Sequence, residues 1–310
     1  MSNKNLLSGR DKELQELAEQ YEAAMAENKP FYQDADELAD LADWYGTKKR
    51  YDKAFEIAEY GLKLHPDSTE LMIEYAYLHL DNGKKAKARE IIENLPDTYS
   101  PEAKVVRAHL LLSEGKLDDA EQLLDTIEDK ADLANVVDVS YMYLDMGYPD
   151  KALAWLDPVK EEYSDEEAYI AVVADCLYGK GMTEEAIPLY NRLIDMNPYS
   201  APYWFGLARC HFEEMNFNQA IDACDYALVG DDEFADAYVM KGHCFYQLGN
   251  EDAALEYYQK AEELHGLAPE FIYTYIGLCK VSKGEWKEGY ENLEKAILEN
   301  ETDEIASPIL

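Results

Sequence analysis

Residues 238–261 read YVMKGHCFYQLGNEDAALEYYQKA. Two small residues twelve positions apart, Gly242 and Ala254, each sit on an apolar-periodic run, and Gly249 stands between the runs. Apolar side chains recurring at three- and four-residue steps indicate two amphipathic helices. A glycine between them ends the first helix. One small residue on each helix is what a pair of helices needs in order to pack closely.

The same arrangement recurs along the chain. Gly83, Gly115, Gly147, Gly181, Gly249 and Gly284 each precede a small residue by five positions: Ala88, Ala120, Ala152, Ala186, Ala254 and Gly289. Lys49 with Ala54 and Met215 with Ala220 complete a series of eight, spaced by 34, 32, 32, 34, 34, 34 and 35 residues. Twelve positions upstream stand Ala42, Ala76, Ala108, Ser140, Ala174, Ala208, Gly242 and Gly277. A period of this length marks a repeat architecture in which each helix-turn-helix unit stacks on its neighbours. In the fifth unit Ser164 and Glu167 are placed to form a capping box, Gly179 and Gly181 end the first helix, and Thr183 caps a second that stops before Asn197 and Pro198.

The unit resembles the tetratricopeptide repeat, whose pattern is W-x2-L-G-x2-Y, then Gly, then A-x3-F, then Ala and a closing Pro. The sixth unit supplies Trp204, Leu207, Ala208, His211, Ala220, Cys224 and Ala227 in that register; the seventh supplies Tyr238, Lys241, Gly242, Phe245, Gly249, Ala254, Tyr258 and Ala261. Closing prolines stand at Pro66 and Pro198. The resemblance covers residues 35–300 and implies an all-α fold, an α-α superhelix or solenoid of about eight repeats. Residues 9–28, with Leu14, Leu17, Ala18, Tyr21, Ala24 and Met25 at helical spacing, form a capping helix before it, so residues 1–34 are expected to be a cap and linker. Residues 301–310, ETDEIASPIL, are expected to be a tail too short and too broken by Pro308 for another amphipathic helix. The last apolar face is then uncovered, and either docks something or was once followed by more chain. Pro96 and Pro158 should shorten the second helices in which they fall, and Pro188 should bend one.

Composition bounds the partners. The 310 residues carry 65 acidic against 28 basic side chains, a net charge of -37, which is unsuited to a phosphate backbone because nucleic-acid affinity depends on Lys and Arg displacing counterions. Cationic protein segments are the natural partners, although the same charge also keeps a long surface soluble. No apolar run approaches the roughly 18 residues that span a bilayer, and no leader pattern opens the chain, so a cytoplasmic protein that binds no membrane is expected. No cofactor or metal is implied. Five cysteines without a CxxC pair argue against both a disulfide framework and a zinc ribbon.

Cys210 beside His211, with Glu213 and Glu214 close behind, has the parts of a nucleophilic site. Repeat phase gives them plainer roles. Cys176, Cys210, Cys244 and Cys279 occupy one register, two residues after the small residue of the first helix, as packing side chains. Sequence neighbours on a helix point about 100° apart, so Cys210 and His211 do not meet as a dyad. No HExxH, GxxxxGK[ST] or GxSxG motif occurs, and the chain is expected not to be an enzyme.

In the family that the repeats resemble, first helices line a concave groove. Carried over by repeat position, the groove residues of the first five units include Asp43, Tyr77, His109, Tyr141, Asp175 and Tyr178, with Asp36, Asp40, Glu70, Asp81, Glu102 and Asp145; those of the last three are Phe205, Arg209, Phe212, His243 and Tyr246, with Asp236 and Leu278. Some members grip acidic, carboxylate-ended tails through Lys, Asn and Arg at these positions. This chain has Asp43, Tyr77, His109, Tyr141 and Asp175 where the Asn would stand, which disfavours acidic tails. The expected function is a non-enzymatic protein-interaction scaffold or adaptor that holds a basic peptide segment in an acidic, aromatic groove through charge steering and cation-π contacts. The alternative is a regulatory or assembly segment of a larger protein, or a homo-oligomer, joined through the uncovered C-terminal face.

Overall fold

The computed structural model describes residues 11–264 and 267–306, and all of the regular structure among them is helical. The chain divides into two compact units, Met1–Met182 and Thr183–Leu310. The boundary falls inside the fifth helical pair.

The first unit begins with α1 (Asp11–Ala26) and continues through the pairs α2 (Ala35–Thr47) and α3 (Tyr51–Leu64), α4 (Thr69–Asp81) and α5 (Lys85–Glu93), α6 (Pro101–Ser113) and α7 (Leu117–Leu124), and α8 (Leu133–Asp145) and α9 (Pro149–Leu156). A 3₁₀ turn at Asp157–Val159 and the short α10 (Lys160–Tyr163) lead into α11 (Glu167–Gly179). The second unit comprises α12 (Thr183–Met196), then α13 (Ala201–Glu213) with α14 (Phe217–Gly230), α15 (Ala235–Gln247) with α16 (Glu251–Glu263), and α17 (Pro269–Ser282) with α18 (Trp286–Ala306).

The eight turn positions share one conformation. Lys49, Gly83, Gly115, Gly147, Gly181, Met215, Gly249 and Gly284 all have positive φ, between 57° and 82°. At each, the turn residue's N–H donates to the carbonyl three positions back and the next N–H donates to the carbonyl five back of itself, as in Gly115 to Leu112 and Lys116 to Leu111, both 2.9 Å. This is the Schellman arrangement, and it satisfies carbonyls that a helix end would otherwise leave orphaned. Met215 and Lys49 adopt it at the cost that a Cβ brings to left-handed backbone.

The small positions seat the helices. Ala42, Ala76, Ala108, Ala174 and Ala208 on the first helices, and Ala54 through Ala254 on the second, are fully buried. Ser140 donates a hydrogen bond to the Ala152 carbonyl at 3.3 Å, joining the two small positions of the fourth pair. In the last pair both are glycine: a Cβ on Gly277 would lie 2.8 Å from Leu293 Cγ and 3.1 Å from the Gly289 carbonyl oxygen. Around these seats Leu, Val and Tyr close separate cores within each unit.

The first helix buries Leu14, Ala18 and Tyr21 against α2 and α3. Tyr21 donates to Glu56 at 3.2 Å, and Glu22 accepts from both Tyr45 at 2.8 Å and Arg50 at 3.1 Å. Three expectations are corrected. The α11 helix starts at Glu167 with Glu166 in the N-cap position, so its start is not set by Ser164; Thr183 is itself the first helical residue of α12. The final helix does not stop near Asn300 but runs to Ala306. Pro158 falls in the 3₁₀ turn that ends α9, α5 ends before Pro96, and α12 continues through Pro188.

Candidate binding surface

Three carboxylates, Asp36, Asp40 and Asp43, sit at four- and three-residue steps on α2 and therefore share one face. Glu70, Ile73 and Glu74 do the same on α4. With Ala39, Thr69, Asp97, Ser100 and Glu102 they enclose a cavity of about 400 Å³. Seven of its lining residues are carboxylates, and among the described residues no Lys, Arg or His lines it.

Local structure fixes its walls. The Ser68 hydroxyl accepts from Leu71 N–H at 3.1 Å and so caps α4. Ser100 caps α6 by accepting from Ala103 N–H at 3.2 Å, while Asp97 accepts from the Tyr99 and Ser100 amides at 2.8 and 3.3 Å. The floor is drier than the rim. Asp43 is 2% and Glu74 4% exposed, whereas Asp36, Glu70 and Asp97 are open to solvent. Glu74 Oε1 is buried without a hydrogen-bond partner among the described residues. Burial, and then the like charge of Asp43, hold the Glu74 carboxyl well above the usual carboxylate range.

The remaining first-unit positions expected in the groove lie on the following first helices, and several are wall rather than lining. Tyr77, His109 and Tyr141 are buried. Tyr77 and His109 meet with ring centroids 5.6 Å apart, and burial pushes the His109 imidazole down to about 4, so it is neutral at physiological pH. Tyr141 donates to Asp175 at 3.4 Å. Desolvation, with the like charges of Asp81 and Asp175, pushes the Asp145 carboxyl up to about 6. Asp175 and Tyr178 are half-buried on α11.

The second unit's positions form an aromatic set. Phe205 meets Phe234 edge-on at 5.2 Å, and the Arg209 guanidinium lies 5.6 Å from the Phe205 ring and donates to the Tyr190 hydroxyl at 3.3 Å. Phe212 stands 6.3 Å from His243, which is hydrogen-bonded to Tyr258 at 2.8 Å and packs edge-on against Tyr275 at 4.6 Å. Tyr246 is half-buried beside the same core.

Sequence reasoning missed Glu74, Ile73, Thr69, Asp97 and Ser100. Glu74 carried a signal: it interrupts the apolar run of α4 at the phase that Asp40 and Asp138 occupy in the first and fourth units, two residues before the small position.

The suspected Cys210–His211 site takes packing roles. All five cysteines are buried with free thiols, and burial pushes Cys176 and Cys244 up to about 12 and Cys279 up to about 11. Thiols so raised are poor nucleophiles. Burial lowers the His211 pKa. Among the described residues no group of His, Cys, Asp and Glu is disposed to hold a metal ion, and no helix is long and apolar enough to cross a membrane.

Repeat phase, Schellman turns and paired small seats define a solenoid of helical hairpins. Residues 47–108 match the family model of a tetratricopeptide repeat, and residues 179–261 match that of the anaphase-promoting complex, cyclosome, subunit 3. A tetratricopeptide repeat protein from Parabacteroides merdae superposes with a TM-score of 0.55 at 18% identity, over 79% of this chain and 98% of the other. A thermophilic TPR protein of Thermus thermophilus gives 0.47 at 16% identity over 54% and 91%; a MamA fragment from Desulfovibrio magneticus gives 0.49 at 18% over 57% and 98%. No curated protein sequence matches significantly. Residues 47–108 match tetratricopeptide repeats, and the chain has the all-α solenoid fold of such repeats.

Proposed function

We propose that this chain is a non-enzymatic scaffold that holds a basic protein segment against the first-helix face of its first unit. The observation that carries this is the cavity between α2, α4 and the start of α6, whose seven carboxylates have no basic side chain beside them among the described lining residues. Repeat proteins of this kind use extended surfaces to bind other proteins, and a field of one sign on such a surface draws in and orients a partner of the opposite sign. Partly buried aromatic rings in the second unit, Phe205 and Phe212 among them, suit the apolar side chains of a protein partner.

The test is the affinity of a fluorescent, multiply lysine- and arginine-bearing peptide for the full chain, read by anisotropy across a salt series. Asp36→Lys with Glu70→Lys, both on the exposed rim, should weaken it by about a hundredfold, since like charge at an interface costs several kcal/mol. Unchanged affinity in that variant would sink the groove.

A second function is favoured by α18. Trp286, Tyr290 and Ile297 fall on one face of that helix and are 58%, 59% and 59% exposed, which fits a contact between copies of the chain. Because screening relieves repulsion between like-charged copies, its salt dependence has the opposite sign to that of peptide binding.

A further inference from the structure

Glu74 is the residue that packing leaves unexplained. Its side chain is 4% exposed, it lines the acidic cavity, and its Oε1 has no hydrogen-bond partner among the described residues. A buried carboxylate oxygen without a donor is costly, and folds keep such groups when something arrives to pair with them. Asp43 lies at the same dry floor and raises that cost through like charge. A cation is the complement that removes it.

The chemistry of that cation can be narrowed. A metal ion needs several ligands converging on one point, and among the described residues no such group occurs. The carboxylates here are distributed over α2, α4 and the approach to α6 around a volume of about 400 Å³, so the complement must spread its donors over space. A guanidinium does so: it is planar, carries five N–H donors in a fixed fork, pairs with carboxylates two bonds at a time, and is less strongly hydrated than an ammonium. Its methylene stem needs an apolar strip, which Ile73 and Ala39 supply in the same wall.

We propose that the Asp43–Glu74 cavity is a recognition site for one arginine side chain of the bound segment. Glu74 anchors the guanidinium at the floor, Asp43 shares it, and the exposed Asp36 and Glu70 draw it in from the rim. This rests on the groove function proposed above and narrows it from a basic segment to a single side chain at a defined place.

Calorimetric titration of the full chain with acetyl-Gly-Arg-Gly-amide and acetyl-Gly-Lys-Gly-amide at low salt tests it. The arginine probe should bind more tightly than the lysine probe, and Glu74→Gln should weaken it about tenfold or more, the loss of one hydrogen bond to a buried charge. Glu93→Gln, which removes one exposed charge outside the cavity lining, should change it by less than about twofold. A cooperative melt with native helical circular dichroism confirms that the Glu74→Gln chain is folded. Equal affinity in native and Glu74→Gln protein, or equal binding of the two probes, overturns the arginine assignment; so does calcium chloride binding that vanishes in Glu74→Gln, which makes this an inorganic cation site. If the multiply basic peptide still binds the native chain with its salt dependence while Glu74→Gln leaves the arginine probe unaffected, the arginine assignment alone falls and the groove stands. If charge reversal of the rim leaves the long peptide unaffected while the arginine probe still distinguishes Glu74 from glutamine, the groove falls and the cavity is supported as a site on its own.

Discussion

Glu74 couples stability to pH in a direction that can be worked out. Its folded pKa is raised by burial and by Asp43, with Asp81 and Asp40 adding to the same effect. An unfolded glutamate titrates near 4.3. Between that value and the raised folded one, the native state holds a proton that the unfolded state has lost, so stability falls as pH rises through the window. Above it the full penalty of a buried carboxylate remains. Glu74→Gln removes the penalty and keeps the shape. The variant should therefore be more stable than the native chain at pH 8 by about 1–3 kcal/mol, the usual cost of an unsatisfied buried polar group, with the gap closing towards pH 4. Denaturant melts at both pH values measure this, and differencing the two proteins cancels the parallel titration of Asp145. Parallel curves with no gap would mean that Glu74 is not penalised in the native state. A residue that weakens the fold when empty and binds when filled is what a recognition site requires. It was barely legible in the sequence, since groove positions were carried over by repeat number and Glu74 occupies none of them. Only its interruption of an apolar run pointed to it.

At the scale of the element, the helical hairpin was legible because it rests on short-range stereochemistry. Six glycines at one phase marked the end of each first helix, and phase alone placed Lys49 and Met215 in the same series; their φ values of 57° and 58° put them in the left-handed region with the glycines. What periodicity could not supply was the helix ends that depend on side-chain caps. Ser164 and Glu167 satisfy the spacing of a capping box, yet α11 starts later, because a possible cap has to compete with the backbone path leaving α10. The turn conformation has its own consequence. Met215 is 76% exposed and contributes little burial, while its Cβ opposes left-handed backbone. Met215→Gly should stabilise the chain by up to about 1 kcal/mol, the αL penalty of roughly 1–2 kcal/mol less the extra entropy of an unfolded glycine. The reverse change, Gly115→Ala, meets no atom within 4 Å, so its cost of about 1 kcal/mol should come from φ alone. Thermal melts of the two variants should move in opposite directions, and movement in the same direction would show that the turn is not what limits either.

Over the whole molecule the dominant quantity is charge, and it gives the two proposed functions opposite salt dependences. A basic segment is drawn to the carboxylate face by attraction between unlike charges, which salt screens; the Debye length shrinks from about 30 Å at 0.01 M to about 10 Å at 0.1 M. Peptide affinity should therefore fall steadily as salt is added. Contact between two copies through Trp286, Tyr290 and Ile297 is different: apolar burial drives it, but each copy brings a net charge of -37 towards the other. Screening relieves that repulsion and leaves the apolar term almost untouched, so self-association should strengthen over the same salt range. Sedimentation velocity and peptide anisotropy on one preparation separate the two. The larger species should grow between about 0.01 and 0.5 M salt while peptide binding declines, and Trp286→Ser with Ile297→Glu should abolish the first without affecting the second. If the larger species shrinks with salt, or persists in that variant, copies do not meet through α18. If peptide affinity is flat across the series, the carboxylate face is not where the segment binds, since no other term in the proposed contact would leave seven clustered acids without a salt response.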